Sequence, residues 1–292
     1  MKVLVTGAGG QLGRSLRVAC CGSCDYLFTD VIDSPETLAL DITDVAAVRD
    51  FVVQNGVDVI VNCAAYTDVN KAETDVEKCA LINAEAPGIL ASVMKERGGL
   101  LVHVSTDYVF DGKALTPYNE EAQCAPESVY GSTKFQGEQA IISTGCRYVI
   151  VRTSWLYSEY GRNFVKTMLD LTASKPELKV VSDQIGTPTY ALDLADLICK
   201  VLTTEGKEGI YHYSNEGSCS WYEFAKTIAE LSGHDNCAVN PCSTAEYPTP
   251  AKRPAYSVLD KSKVKETFGV EVPHWSESLK KCLKNLSELY GF

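Results

Sequence analysis

The sequence contains no apolar run approaching the eighteen or so residues a membrane-crossing helix needs; Val57, Ile60 and Val61 are soon interrupted by Asn62. The opening MKVLVTGAGG reaches a glycine cluster after a few apolar residues, without the long apolar stretch of a secretory leader, so the chain reads as cytoplasmic. Positive charge is also short. Against 38 Asp+Glu the chain carries 27 Lys+Arg, a net charge of −11 over 292 residues, which leaves no excess to neutralise a nucleic-acid backbone. Histidine is scarce. His103, His212, His234 and His274 lie in neither a G-x-S-x-G nor an H-E-x-x-H setting, which sets aside a triad hydrolase. His103, on an apolar run, reads as a satisfied core histidine. There is no internal repeat and no low-complexity tract.

Cysteine, by contrast, is abundant at 12 residues, and Cys20-Cys21-Gly22-Ser23-Cys24 contains a C-x-x-C pair, Cys21 and Cys24. A zinc knuckle needs a second pair at matching spacing, and Cys237/Cys242 lies far away with four residues between. A redox C-x-x-C opens a helix after a strand, whereas this one closes the first helix. Free thiols serving as small buried apolar residues are therefore expected, with no metal.

What remains is ordinary in amount and regular in rhythm: 45% hydrophobic and 22% charged residues, enough for one long domain or two lobes. Apolar, β-branched runs at 2–6, 26–29, 57–61, 100–104 and 148–151 predict strands. Helical spacing of apolar residues predicts helices over 12–20, 44–54, 83–97 and 128–144. This alternation predicts an α/β fold, a doubly wound parallel sheet covered on both faces. Past residue 151, prolines punctuate short elements, with helices expected near 189–203, 220–232 and 275–289.

Three constellations carry chemistry. The first strand runs into Gly7-Ala8-Gly9-Gly10-Gln11-Leu12-Gly13, which opens a helix. Glycines at 7, 10 and 13 permit a tight turn and close backbone approach to a pyrophosphate, and the helix N-terminus offers unpaired N–H groups to the anion. Asp30 closes the second strand, where a carboxylate meets an adenosine ribose hydroxyl. Asp30 would repel a 2′-phosphate, and residues 31–33 bring no arginine to offset it, so the residues lean to NAD while the choice between NADH and NADPH stays open.

The second constellation is Tyr130-Gly131-Ser132-Thr133-Lys134. Residues four apart on a helix share a face, roughly 6 Å apart along the axis. A tyrosine's ordinary pKa of about 10 is high for proton transfer near neutrality, and a neighbouring ammonium lowers it. The spacing alone recurs by chance. The third, Ser105-Thr106-Asp107, stands at the carboxyl end of the 100–104 strand, where open α/β sheets bind ligands; a hydroxyl there can bond a substrate carbonyl.

With these three in order, the sequence resembles the extended short-chain dehydrogenase/reductases, Rossmann enzymes acting largely on nucleotide sugars. Asn62-Cys63-Ala64-Ala65-Tyr66-Thr67, Lys71-Ala72-Glu73, Ser105-Thr106-Asp107-Tyr108-Val109-Phe110-Asp111-Gly112, Arg152-Thr153-Ser154-Trp155, the 183–189 run through Gly186 and Pro188, and the 248–254 run through Arg253 narrow it to the dTDP-4-dehydrorhamnose reductases. The resemblance implies NADPH- or NADH-dependent reduction of the C4 carbonyl of dTDP-4-dehydro-L-rhamnose to dTDP-L-rhamnose. Tyr130 would supply the proton, Lys134 would hold the ribose and tune Tyr130, and Thr106 would orient the carbonyl. Gly10, Gln11, Leu12, Asp30, Asp41, Ile42, Ala64, Ala65 and Tyr66 would line the dinucleotide, while Val69, Asp107 and Trp155 would face the sugar. Arg253, whose guanidinium suits phosphate geometry, is the candidate for the substrate diphosphate.

Residues 1–150 are then expected to form the dinucleotide-binding domain, with segments near 187–212 returning to it. Residues 151–292 are expected to form mainly a smaller substrate-binding lobe. Two features set the chain apart. Asp107 is followed by Tyr108, not by the second acid of the sugar dehydratases, which disfavours elimination of water. Ser15 and Leu192 stand where some relatives place acidic residues around a dimer-bridging Mg²⁺, so a monomer or a homodimer is expected and no metal. The alternatives are a reductase or epimerase on another nucleotide sugar, and a non-catalytic regulatory subunit built on the dinucleotide fold.

Overall fold

Alternate residues of the central strands feed two separate apolar layers. Val3 and Val5 enter one and Leu4 the other, and Val59 and Val61 against Ile60, or Val149 and Val151 against Ile150, repeat the pattern. Strands apolar on both sides require cover on both sides. In the computed structural model, which describes residues 1–19, 22 and 24–291, that cover is present. Helices Gln11–Ala19, Ala191–Leu202 and Ser262–Phe268 close the first face; Val45–Asn55, Ala86–Arg97 and Val129–Thr144 close the second.

Among the described residues the sheet has seven strands: β1 (Lys2–Thr6), β2 (Asp25–Asp30), β3 (Leu38–Ala39), β4 (Val59–Asn62), β5 (Leu100–Thr106), β6 (Arg147–Thr153) and β7 (Gly209–His212). Their order is β7-β6-β5-β4-β1-β2-β3, and every neighbouring pair is parallel. This is a doubly wound, Rossmann-type sheet. The strand order reverses between β1 and β4, and the crevice at such a switch point lies beyond the carboxyl ends of both strands.

A third apolar cluster belongs to the later half. Tyr157, Val165, Tyr190, Phe224, Trp275 and Leu279 pack together, with helices Phe164–Ser174, Trp221–Leu231 and Trp275–Tyr290 around them. A parallel pair, Glu177–Val181 with Ala238–Cys242, lies outside the main sheet. Two departures from the sequence reading stand out. The helix expected over 83–97 begins at Ala86, preceded by a π-helical turn, Leu81–Glu85. That wide turn carries Asn83, whose carboxamide accepts from Tyr66 N and donates to Tyr66 O, so a side chain there pairs with the strand-end loop. The helices Phe164–Ser174 and Ser262–Phe268 were not expected; both are short amphipathic segments.

Among the described residues, no helix is long and apolar enough to cross a membrane. Cys79, Cys146, Cys219, Cys237, Cys242 and Cys282 are buried thiols. Cys20 and Cys21, and with them the C-x-x-C, lie outside the described residues.

Candidate active site

The glycine loop is built by steric exclusion. Gly7 has φ of +63°, and a Cβ on it would lie 2.6 Å from the Ala64 main chain; a Cβ on Gly13 would lie 2.4 Å from Ala8 Cα. Backbones of β1, β4 and the first helix thus meet where a side chain has no room. Gly10, whose N–H donates to Gly7 O at 3.1 Å, turns the chain into the helix Gln11–Ala19. Leu12 drops into the first apolar layer, while Gln11 reaches the later half of the chain, accepting from Ser158 Oγ at 3.1 Å. Asp30 closes β2 with both carboxylate oxygens on main-chain donors, Gly9 N at 2.9 Å and Val31 N at 2.8 Å. The loop and the acid are therefore one unit.

Of the other residues expected along the dinucleotide, Ala64, Ala65 and Tyr66 follow β4 in a half-buried loop, and Tyr66 OH donates to Asp75 Oδ2 at 3.1 Å. Asp41 is exposed and accepts from Thr43 N and Oγ1. Ile42 is buried in the second apolar layer.

At the carboxyl end of β5, Thr106 Oγ1 donates to Asp107 Oδ1 at 3.0 Å and accepts from Tyr108 N at 3.2 Å. The helix Val129–Thr144 comes unusually close, because Gly131 rests against Tyr108 O, where a Cβ would be 2.2 Å away. Its first turn is held by Ser128 Oγ, which accepts from Gly131 N, and by Glu73 Oε1, which accepts from Val129 N. This brings Tyr130 beside Thr106, with the Tyr108 ring edge-on at 5.5 Å.

Burial pushes the Tyr130 phenol up from its ordinary value, opposed by the Thr106 hydroxyl. The expected lowering by Lys134 is not what the geometry provides. Lys134 is 2% exposed, donates to Val104 O at 2.6 Å and lies 3.3 Å from His103 Nε2. Its nitrogen is engaged under the strand end, so desolvation governs the phenol. Burial also lowers Lys134 to about 8, against the raising pull of Glu138, Cys79 and Cys63. Asp107 is 2% exposed; burial raises it to about 6 despite the lowering pull of Ser257 and Thr106.

The model of the RmlD substrate binding domain family matches residues 1–288. A dTDP-4-dehydrorhamnose reductase of Burkholderia thailandensis is 40% identical over 305 residues, covering 98% of this chain and 99% of the relative. The chain belongs to the dTDP-4-dehydrorhamnose reductase family. Its structure is similar to that of a reductase of this name from Clostridium acetobutylicum, with a TM-score of 0.93 and 44% identity over 98% of this chain and 100% of that one. It is also similar to the Bacillus anthracis protein solved in complex with NADP, with a TM-score of 0.92 and 39% identity over 97% and 99% of the two chains.

Within this reductase-family framework, the remaining expected residues lie on segments that follow different strands, at different depths. Val69, half-buried, opens the short helix Val69–Ala72. Trp155 follows β6 at φ of +48°, a backbone region side chains rarely adopt, and its ring stacks on Trp221 with centroids 3.5 Å apart. Arg253 is half-buried; its Nη1 donates to Tyr108 OH at 3.3 Å, which ties the 248–254 segment to the loop after β5. Sequence reasoning missed Trp221, Asn83, Ser257 and Arg14. The last donates from Nε to Gly9 O at 3.2 Å, bringing a guanidinium beside the Asp30 loop from the preceding helix. Only sheet register and helix phase expose these four; no local motif marks them.

Proposed function

We propose that this chain reduces the C4 carbonyl of dTDP-4-dehydro-L-rhamnose to give dTDP-L-rhamnose, with NADPH or NADH as reductant. The observation that carries the reading is the convergence of Thr106, Tyr130 and Lys134 at one strand end, in a chain matched to the family over residues 1–288. The glycine cradle at Gly7, Gly10 and Gly13, closed to side chains at Gly7 and Gly13 and facing a helix N-terminus, fits a dinucleotide pyrophosphate. Asp30 suits a ribose hydroxyl, and Arg14 beside Gly9 offers a cation where a 2′-phosphate would need one. When bound, the nicotinamide supplies the hydride.

The chain's own part is proton transfer and placement. Tyr130, kept protonated by burial, gives its phenolic proton to the carbonyl oxygen as that oxygen becomes an alcohol, and Thr106 turns its one hydroxyl proton from Asp107 to the same oxygen. Lys134 binds ribose hydroxyls. Residues 1–150, with the returning 187–212 segment, hold the dinucleotide; 151–292 mainly hold the sugar nucleotide. Val69, Asp107 and Trp155 face the sugar and Arg253 takes the diphosphate. A cytoplasmic monomer or homodimer goes with this reading.

The test is loss of nicotinamide absorbance on mixing the protein with enzymatically generated dTDP-4-dehydro-L-rhamnose, with NADPH and NADH in separate runs. Turnover to dTDP-L-rhamnose is expected. Tight dinucleotide binding without turnover would transfer the assignment to another keto-sugar or to a regulatory role.

A further inference from the structure

A row of polar side chains crosses an otherwise apolar face of the sheet. Thr6, Asn62 and His103 are register partners on β1, β4 and β5. In parallel strands such partners point to the same side, here the side covered by the helix Val129–Thr144. Exposure is 1% for Thr6 and Asn62 and 0% for His103. Thr6 Oγ1 donates to Asn62 Oδ1 at 2.7 Å, Asn62 Nδ2 lies 3.0 Å from His103 Nδ1, and His103 Nε2 lies 3.3 Å from Lys134 Nζ. The proposed reduction assigns no role to this ring.

The direction of the chain follows from its fixed end. Ala64 N–H can only donate, and it points at Asn62 Oδ1 at 3.2 Å. The amide nitrogen of Asn62 therefore faces His103, and since that nitrogen only donates, His103 Nδ1 accepts. A neutral imidazole accepting at Nδ1 carries its proton on Nε2, the atom turned towards Lys134. Against an ammonium this is donor facing donor. Against an uncharged amine it is a hydrogen bond to the lone pair, and the amine retains an N–H for Val104 O.

We infer that His103 is a positioning residue for Lys134: its Nε2–H, fixed by Asn62, favours the uncharged amine in the ligand-free protein, so that Lys134 takes up a proton when the dinucleotide binds. The inference rests on the dinucleotide-dependent reading above. Bound ribose hydroxyls and the pyrophosphate charge would favour the ammonium that the free site disfavours. The other titratable groups facing Lys134 do not supply a counter-ion. Glu138, one turn along, is committed to Arg152, and burial raises the Cys63 thiol to about 12 and the Cys79 thiol above its ordinary value. His103 itself is held far below its usual pKa by burial and by Lys134, and Lys134 at about 8 lies within range of such control.

The direct test is the two-bond ¹H–¹⁵N correlation spectrum of the histidine rings in the full chain without dinucleotide, with His103 assigned by its loss in His103→Gln. The Nε2–H tautomer, unchanged from about pH 9 to pH 6, is expected; an Nδ1–H tautomer or an imidazolium would overturn the inference. A second readout is calorimetry of NADPH binding at about pH 9 in buffers of different ionisation enthalpy. The wild type should take up most of one proton. His103→Gln, whose side-chain oxygen accepts from an ammonium, should take up far less, with its alkaline limit for binding raised by about one pH unit. Equal uptake in the two proteins refutes the idea. If His103→Gln does not fold, the wild-type tautomer and proton count decide alone. Failure of the wild type to bind NADPH or NADH would sink the reductase reading instead, leaving the tautomer result to stand for or against the lysine–histidine arrangement.

Discussion

Two buried ionisable side chains lie one turn apart on the helix Val129–Thr144, and their surroundings differ completely. Glu138 receives Arg152 through both oxygens, at 3.0 and 2.7 Å, and also accepts from Ser105 Oγ at 2.5 Å. Arg152 in turn lies over the Phe110 ring at 5.2 Å. Lys134 has a main-chain carbonyl and a ring nitrogen, with no carboxylate among its hydrogen bonds. The first pair fastens the helix to β5 and β6 and leaves nothing free to react. The second is an amine whose charged form the fold compensates only in part, which is the condition under which a pKa moves and chemistry becomes available. The same helix therefore anchors with one turn and, on the proposed reading, works with the turn before it.

The sharpest way to break this contrast is at the working end. Tyr130→Phe removes the proposed proton donor and should lower kcat by about 10²- to 10⁴-fold, with NADPH affinity and thermal stability close to wild type. Steady-state kinetics alongside dinucleotide titration check it; a near-normal kcat would remove the phenol from the reaction. At the anchoring end, Arg152→Met strands Glu138 as an unpaired buried charge and should cost about 3–5 kcal/mol in urea unfolding. Lys134→Met leaves no charge behind and should unfold no more easily than wild type while losing activity. If the two substitutions destabilise equally, the contrast between them fails.

Asp107 offers a third comparison, with a carboxyl whose folded-state value is raised. Its pKa of about 6 lies above the ordinary 3.8, so the folded protein binds its proton more tightly than the unfolded chain does. The resulting stabilisation is complete below about pH 4 and is lost as pH rises through about 6, on the order of 2–3 kcal/mol. Asp107→Asn, which cannot ionise, should exceed wild type in stability at pH 8 by about 1–2 kcal/mol, with the gap closing at pH 5. Chemical denaturation at the two pH values reads this directly. A gap independent of pH would mean that Asp107 is not the titrating group.

Much of this was legible in the chain before any coordinates. Strands such as Lys2–Thr6 and Leu100–Thr106 are short β-branched runs with sharp ends, and the glycine loop and the tyrosine–lysine spacing are local patterns on recognisable elements. Thr106, Tyr130 and Lys134 could be named because each stands at a strand end or on one helix face. What escaped depends on relations between distant segments. The pair Glu177–Val181 and Ala238–Cys242 joins two half-exposed runs across a long connection, one of them carrying Pro241. His103 read correctly as a satisfied core residue, but its partners follow from the register Thr6–Asn62–His103, which no single strand displays. The Lys134 ammonium was expected to act on Tyr130, and the depth at which its nitrogen lies under Val104 depends on how closely Gly131 lets the helix approach.

The smallest effect tests whether the working end of the helix is held as deliberately as the anchoring end. Ser128 caps the turn that carries Tyr130, accepting from Gly131 N at 3.1 Å. Glu73, from another segment, satisfies Val129 N, so Ser128→Ala removes one of two supports. A stability loss of about 1 kcal/mol is expected, typical of a lost N-cap. Because Tyr130 lies within that first turn, kcat should also fall, by less than tenfold, with KM for the dinucleotide nearly unchanged. Glycine at 128 restores part of the stability in most helices, since it is a tolerated N-cap, and kcat should recover with it. If Ser128→Ala lowers stability and leaves kcat untouched, the phenol is positioned by its contacts with Thr106 and Tyr108, and the first turn of the helix is a support for the fold alone.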